Sequence, residues 1–230
     1  MNTSSIKVIA FDADDTLWVN EPYYQASEKK FEEILSTYAP GCEARKELVK
    51  TDIQNVDIYG YGVKGFVLSM IETALRLTDH NIPQPVIHDL INLGKDMLQM
   101  PIELLDGVEA TLNNLKGRYR LILATKGDLL DQQRKLKKSG LIDCFDHIEI
   151  MSDKQEADYT DLLRRLKILP EQFMMIGNSI KSDILPVLAI GGLAVHIPYH
   201  VLWEHEKVEK PASSDRFAEV ATIEDVLTLL

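Results

Sequence analysis

Hydrophobic and polar positions alternate along this chain with two textures. An apolar run from Ile6 to Phe11 predicts a buried strand over 6–12. Beyond Trp18 the apolar residues recur at helical spacing. Asn20-Glu21-Pro22 is a helix-start signal, and Tyr24, Phe31, Ile34, Leu35 and Tyr38 mark a first helix ended by Pro40-Gly41. Glu43 to about Gln54 reads as a second, charged helix. Val63, Phe66, Val67, Met70, Ile71, Ala74 and Leu75 make a third stripe, and Pro83-Gln84-Pro85 opens a fourth helix that Met100-Pro101 closes. From Asp106 helices and strands take turns: helices over 107–116, 129–138, 155–167 and 180–190, strands over 119–124, 147–150, 173–176 and 193–196. The tail, 199–230, carries a polar loop from Lys207 to Asp215 and a last short helix over 222–230.

Strands separated by helices of this length imply right-handed βαβ units and a parallel sheet. The predicted fold is α/β, a Rossmann-like parallel sheet core with helices on both faces. The first strand has no neighbouring strand until residue 119, so the all-helical block is an insertion. The expected domains are a core of 1–18 with 103–230 and a helical cap of 19–102. The insertion follows directly on an acidic stretch, which predicts a lid over the carboxyl edge of the sheet.

Composition narrows the partners. With 25 Lys and Arg against 36 Asp and Glu the net charge is -11, which disfavours nucleic acid and anionic membrane as partners. A small anionic substrate remains compatible, because a bound metal reverses the local field. Cys42 and Cys144 form no CxxC pair, which fits a reducing cytoplasm. The first residues, Met1 to Ser5, lack a basic and an apolar segment of a leader, and no apolar run approaches the about 18 residues of a membrane span. The expected location is cytoplasmic.

The first strand ends in Asp12-Ala13-Asp14-Asp15-Thr16. Clustered acids at a strand end are poor core design, whereas that edge of an open α/β sheet is where ligands bind. Asp12 and Asp14 share a side if the strand geometry continues, and two such acids favour a cation beside them. The later strands are followed by Thr125-Lys126-Gly127-Asp128, by Met151-Ser152-Asp153-Lys154, and by Gly177-Asn178-Ser179 through Asp183. In a parallel sheet these loops open on one edge and meet Asp12. Each alone is an ordinary cap, surface lysine or turn. Together they supply a carboxylate nucleophile, hard oxygen ligands for a metal, and donors for phosphoryl oxygens.

These four stretches, in this order over residues 6–197, resemble the haloacid dehalogenase (HAD) superfamily, in the branch with a helical cap after the first motif. Asp12-Ala13-Asp14-Asp15-Thr16 is similar to its DxDxT motif, Thr125 to the second motif and Lys154 to the third. Lys154-Gln155-Glu156-Ala157-Asp158 stands where K-P-D/E-like text is common, and Gly177-Asn178-Ser179 through Asp183 resembles GDSxxxD. The resemblance implies a nucleophile, Asp12, and a general acid/base, Asp14. It implies a phosphoryl grip from Thr125 with backbone groups near Ala13 and Lys126, flanked by Asp15, and charge neutralisation by Lys154. It implies Mg2+ held by Asp12, Asp14, Asn178 and Asp183. Asn178 departs from the usual Asp and removes one negative charge from the metal site. Lys126 departs from the commoner Asn and adds a cation beside the phosphate pocket.

The implied activity is Mg2+-dependent hydrolysis of small phosphomonoesters such as sugar phosphates or nucleotides. Dehalogenases lack the second acid, since a halide leaves without a proton, so Asp14 argues for phosphate. A phosphomutase uses the same residues to pass phosphate between sugar hydroxyls. A phospho-acceptor signalling module is about half this length and has no inserted helices. A silent binding protein on this scaffold has no use for Asp12, Asp14, Thr125 and Lys154 together. Tyr23, Tyr24, Tyr59, Tyr61 and Lys64 are candidates for contacting the leaving group from the lid, and His205 reads as surface rather than a metal ligand.

Overall fold

The computed structural model describes residues 1–230. It divides into two compact units, one of Met1–Val19 with Ile102–Leu230 and one of Asn20–Pro101.

The first unit holds six parallel strands: β1 (Val8–Phe11), β2 (Arg120–Lys126), β3 (His147–Met151), β4 (Phe173–Gly177), β5 (Leu193–His196) and β6 (Phe217–Glu219). Their order across the sheet is β3-β2-β1-β4-β5-β6. The chain turns to one side of β1 for β2 and β3 and to the other for β4 to β6. β1 is therefore the switch point, and the crevice at its carboxyl end is where this topology seats a ligand.

Period-two alternation sorts the strands onto two cores. Ile9 and Phe11, Leu121 and Leu123, Met174 and Ile176 face one side, with Leu112, Leu115 and Leu136 packed on them. Val8 and Ala10, Ile122 and Ala124, Phe173 and Met175 face the other, beneath Tyr159, Leu162, Leu166, Ile184 and Val187. The second unit carries four helices with their own core around Phe31, Leu48, Met70 and Leu90. They are α1 (Glu21–Leu35), α2 (Ala44–Tyr59), α3 (Val63–Leu77) and α4 (Gln84–Gln99). In the first unit α5 (Val108–Leu115), α6 (Leu129–Ser139) and α7 (Glu156–Leu166) cover the sheet. No helix is long and apolar enough to cross a membrane.

Two expectations need correction. The helix predicted over 180–190 is a π-helical turn, Ile180–Ile184, running into the short α8 (Leu185–Ala189). Pro186 has no N–H for the carbonyl of Ser182, and that carbonyl accepts the Tyr159 hydroxyl instead, at 3.0 Å. The ending predicted as a regular helix is a 3-10 segment, Glu224–Leu229, and β6 precedes it unforeseen.

Candidate active site

β1 delivers Asp12 to the carboxyl edge, where its backbone N–H still donates to Ile176 O at 2.9 Å. The chain then curls sharply: the carbonyl of Ala13 accepts from Leu17 N at 2.8 Å, and Asp15 adopts φ +59°. That left-handed conformation is one that Asp tolerates better than most residues. The strand geometry thus stops at Phe11, and the two acids take different partners. Asp12 is buried, with Oδ1 2.5 Å from Lys154 Nζ and Oδ2 3.3 Å from Thr16 Oγ1. Asp14 accepts from Trp18 Nε1 at 2.7 Å, from Gln132 Nε2 at 2.8 Å and from Lys135 Nζ at 2.9 Å. Gln132 and Lys135, three residues apart on α6, share a helix face.

Lys154 comes from beyond β3 and is 1 % exposed. Its ammonium lies between Asp12 and Asp183, 2.7 Å from Asp183 Oδ1. Burial alone depresses a lysine, yet the two carboxylates outweigh it and hold Lys154 well above its ordinary range. Asp12 is raised as well: burial and Asp183 push it up, to about 7, against the pull of Lys154.

Asp183 is fixed on both sides, since Oδ2 also accepts from Ser179 N at 3.0 Å. The fit depends on Gly177, where a Cβ atom would stand 2.2 Å from Asp183 Oδ2. Asn178 is anchored at three points. Its N–H donates to Thr16 Oγ1 at 3.1 Å, its Oδ1 lies 3.3 Å from the same hydroxyl, and its carbonyl meets His196 Nε2 at 3.0 Å. Thr125 is buried near the end of β2. The β1–β2 pairing ends at Phe11 and Leu123, two residues before Thr125.

No group of three or more His, Cys, Asp or Glu side chains forms a metal cluster. The oxygen chemistry nonetheless suits a hard cation. Thr16 carries one proton between Asp12 Oδ2 and Asn178 Oδ1, so one of these two oxygens is left wanting a positive partner. A carboxylate, an amide oxygen and backbone carbonyls with water are a donor set that Mg2+ accepts.

The structure brings Asp12, Lys154 and Asp183 into one ion-paired cluster, and links Asn178 to Asp12 through Thr16. Lys126 Nζ donates to Ser182 Oγ at 2.8 Å and pairs with Glu206. His205, read as surface, is half-buried, and its Nε2 accepts from Lys181 Nζ at 2.8 Å. Tyr24 packs its ring on Phe66 at 5.1 Å within the helical unit, while Tyr59 is exposed. Sequence reasoning missed Trp18, Gln132, Lys135, His196 and Glu206. The i,i+3 pair on α6 was the one local signal among them.

The haloacid dehalogenase-like hydrolase family model matches residues 6–191. The chain belongs to this family. A haloacid dehalogenase-like family hydrolase from Xanthomonas campestris is 38% identical with a TM-score of 0.88, over 98% of this chain and 90% of that one. A glyceraldehyde 3-phosphate phosphatase of Methanothermobacter thermautotrophicus is 23% identical over 242 residues, 97% of this chain and 98% of the relative. The 2-haloacid dehalogenase of Pseudomonas syringae pv. Tomato DC3000 is 20% identical with a TM-score of 0.65, over 97% of each chain. As a HAD-like hydrolase the chain thus shares its fold with a phosphatase and a dehalogenase alike, and the side chains must separate the two chemistries.

Proposed function

We propose that this HAD-like hydrolase is a Mg2+-dependent phosphatase that hydrolyses small phosphomonoesters through an aspartyl-phosphate on Asp12. The observation that carries the reading is the buried Asp12–Lys154–Asp183 cluster at the carboxyl end of β1, with Asp14 two residues on. A carboxylate oxygen of Asp12 attacks phosphorus while the bond to the leaving oxygen breaks, and Asp14 gives that oxygen its proton. Asp14 then takes a proton from water, the water attacks phosphorus, and the Asp12–phosphorus bond breaks to release inorganic phosphate. Thr125 and the backbone N–H groups near Ala13 and Lys126 hold the phosphoryl oxygens, and Lys154 balances their charge. Asp15 holds the turn of the same loop, its backbone N–H donating to Trp18 O at 2.7 Å. A departing halide needs no proton and a departing alkoxide does, so Asp14 supports phosphate over haloacid.

Asp12, Asn178 and the backbone carbonyl of Asp14 are the groups that would hold Mg2+. Asp183 backs them, because both its oxygens are already engaged by Lys154 and Ser179. When bound, the ion draws charge from the phosphoryl oxygens and orients them for in-line attack. The helical unit is proposed as the cap that chooses the leaving group, on the ground that it is inserted within a few residues of Asp14.

The test is a phosphate-release screen over phosphomonoesters, with and without Mg2+, and with 2-chloropropionate as a halide-release arm. Phosphate release that chelation abolishes is the expected result. Asp12→Asn should lower turnover by on the order of a thousandfold or more with circular dichroism unchanged. Turnover near that of the unaltered protein would remove Asp12 as nucleophile, and transfer to a second sugar hydroxyl without free phosphate would make the enzyme a mutase.

A further inference from the structure

One buried carboxylate has no part in the hydrolysis above. Glu206 is 6 % exposed and stands in a single 3-10 turn of the tail, Glu204–Glu206. It pairs with Lys126 Nζ through Oε1, and its Oε2 accepts the hydroxyls of Ser179 and, at 2.8 Å, Ser182. Its neighbour His205 anchors the same turn, its carbonyl accepting from Lys181 Nζ at 3.0 Å. Burial pushes a carboxylate up, but here the Lys126 ammonium and the donors on Lys126, Ser179 and Ser182 outweigh burial and hold Glu206 at about 2. The carboxylate is thus ionised throughout the working range. Its donors come from two places, the end of β2, where Lys126 follows Thr125, and the turn after β4 that carries Asn178 and Asp183.

We propose that Glu206 is a positioning residue that ties the end of β2 to the turn after β4 and masks the charge of Lys126, so that inorganic phosphate is released rather than held. The proposal rests on the phosphohydrolase reading. A multiply charged product would face Lys154 already, and a second unmasked ammonium on the residue that follows Thr125 would tighten ground state and product alike, which slows turnover without helping the chemical step. The Lys126 departure from an uncharged residue and the acid in the tail then form one compensated pair.

Glu206→Gln keeps the shape and an acceptor for the two serines while removing the charge. With the full-length protein and saturating Mg2+, inorganic phosphate is titrated by calorimetry and kcat and KM are measured on one ester. The expected result is a phosphate Kd and a KM lowered by about three- to tenfold, with kcat reduced by slower product release. Lys126→Met with Glu206→Gln should return Kd to within about twofold of the unaltered protein. Lys126→Met alone, which leaves Glu206 uncompensated, should weaken phosphate binding and serves if Glu206→Gln folds poorly. A merely structural Glu206 would lower Tm and kcat while Kd stayed unchanged or rose in Glu206→Gln, and that overturns the proposal. Activity in the unaltered protein with Kd unmoved in both variants sinks the masking role alone. No phosphate release from any ester sinks the phosphohydrolase reading, and the masking role with it.

Discussion

At the scale of single residues, the informative contrast is between the two acids of the opening loop. Asp12 is locked against a buried ammonium, whereas Asp14 is steered by an indole of its own loop and by an amide and a lysine of α6. Such steering suits a group that must present one oxygen to a leaving atom and later to a water. Asp14→Asn should therefore lower kcat/KM for alkyl phosphates by about 100- to 10,000-fold. With p-nitrophenyl phosphate, whose phenolate leaves without a proton, the first step is spared and the second is not. The expected trace is a burst of one equivalent of p-nitrophenol followed by a stall, read by stopped-flow absorbance. Equal losses on both esters with no burst would show that Asp14 serves binding rather than proton transfer. The residues that converge on Asp12 were legible because each follows a strand of one parallel sheet, and topology gathers such loops. Gln132 and Lys135 were not, since an ordinary amphipathic helix supplies the same letters. Glu206 carried no signal at all: its meaning depends on where an irregular tail folds back.

At the scale of elements, the helices of the second unit pack across a polar seam. Asn55 on α2 donates to Ser69 Oγ at 3.3 Å and to Glu72 at 2.8 Å on α3, and Arg45 reaches Glu28 on α1 at 2.8 Å. Asp52 lies in this seam, and burial raises it to about 6, with a hydrogen bond from Ser69 opposing and the charge of Glu28 adding to the rise. Because its folded value exceeds the unfolded one, the native state binds more protons between about pH 4 and 6. Asp52 therefore favours folding below the unfolded value, and that contribution disappears as pH climbs through about 6. Asp52→Asn should stabilise the protein at pH 7.5 by roughly 1–3 kcal/mol and should match the unaltered chain near pH 3.5. Urea unfolding at the two pH values checks this, and a variant less stable at pH 7.5 would contradict it. The helices and central strands were readable because their apolar periods are long. The π-helical turn was not, because it arises from Pro186 acting with Tyr159 on another helix. β6 spans Phe217–Glu219, too short for a period to declare itself.

For the whole molecule, the question is whether the helical unit can be removed. Each unit has a core drawn from its own residues. The insertion also leaves and returns at one place: Val19 N–H donates to Glu103 O at 2.9 Å, Leu105 N–H donates to Leu17 O at 3.0 Å, and Trp18 forms an antiparallel bridge with Leu104. A short loop can span so close a pair of ends at small entropic cost. Replacing 20–101 by four to six Gly and Ser residues should give a protein that unfolds cooperatively in calorimetry. Trp18 must be kept, because its indole holds Asp14. If the helical unit selects the leaving group, kcat/KM for p-nitrophenyl phosphate should stay within about tenfold, whereas the ratios among natural phosphomonoesters should flatten toward one. A product without a cooperative transition would mean that the first unit needs the second to fold. A cooperative product that keeps its substrate ratios would place selectivity in the sheet loops instead, and the cap would then lose the role proposed for it.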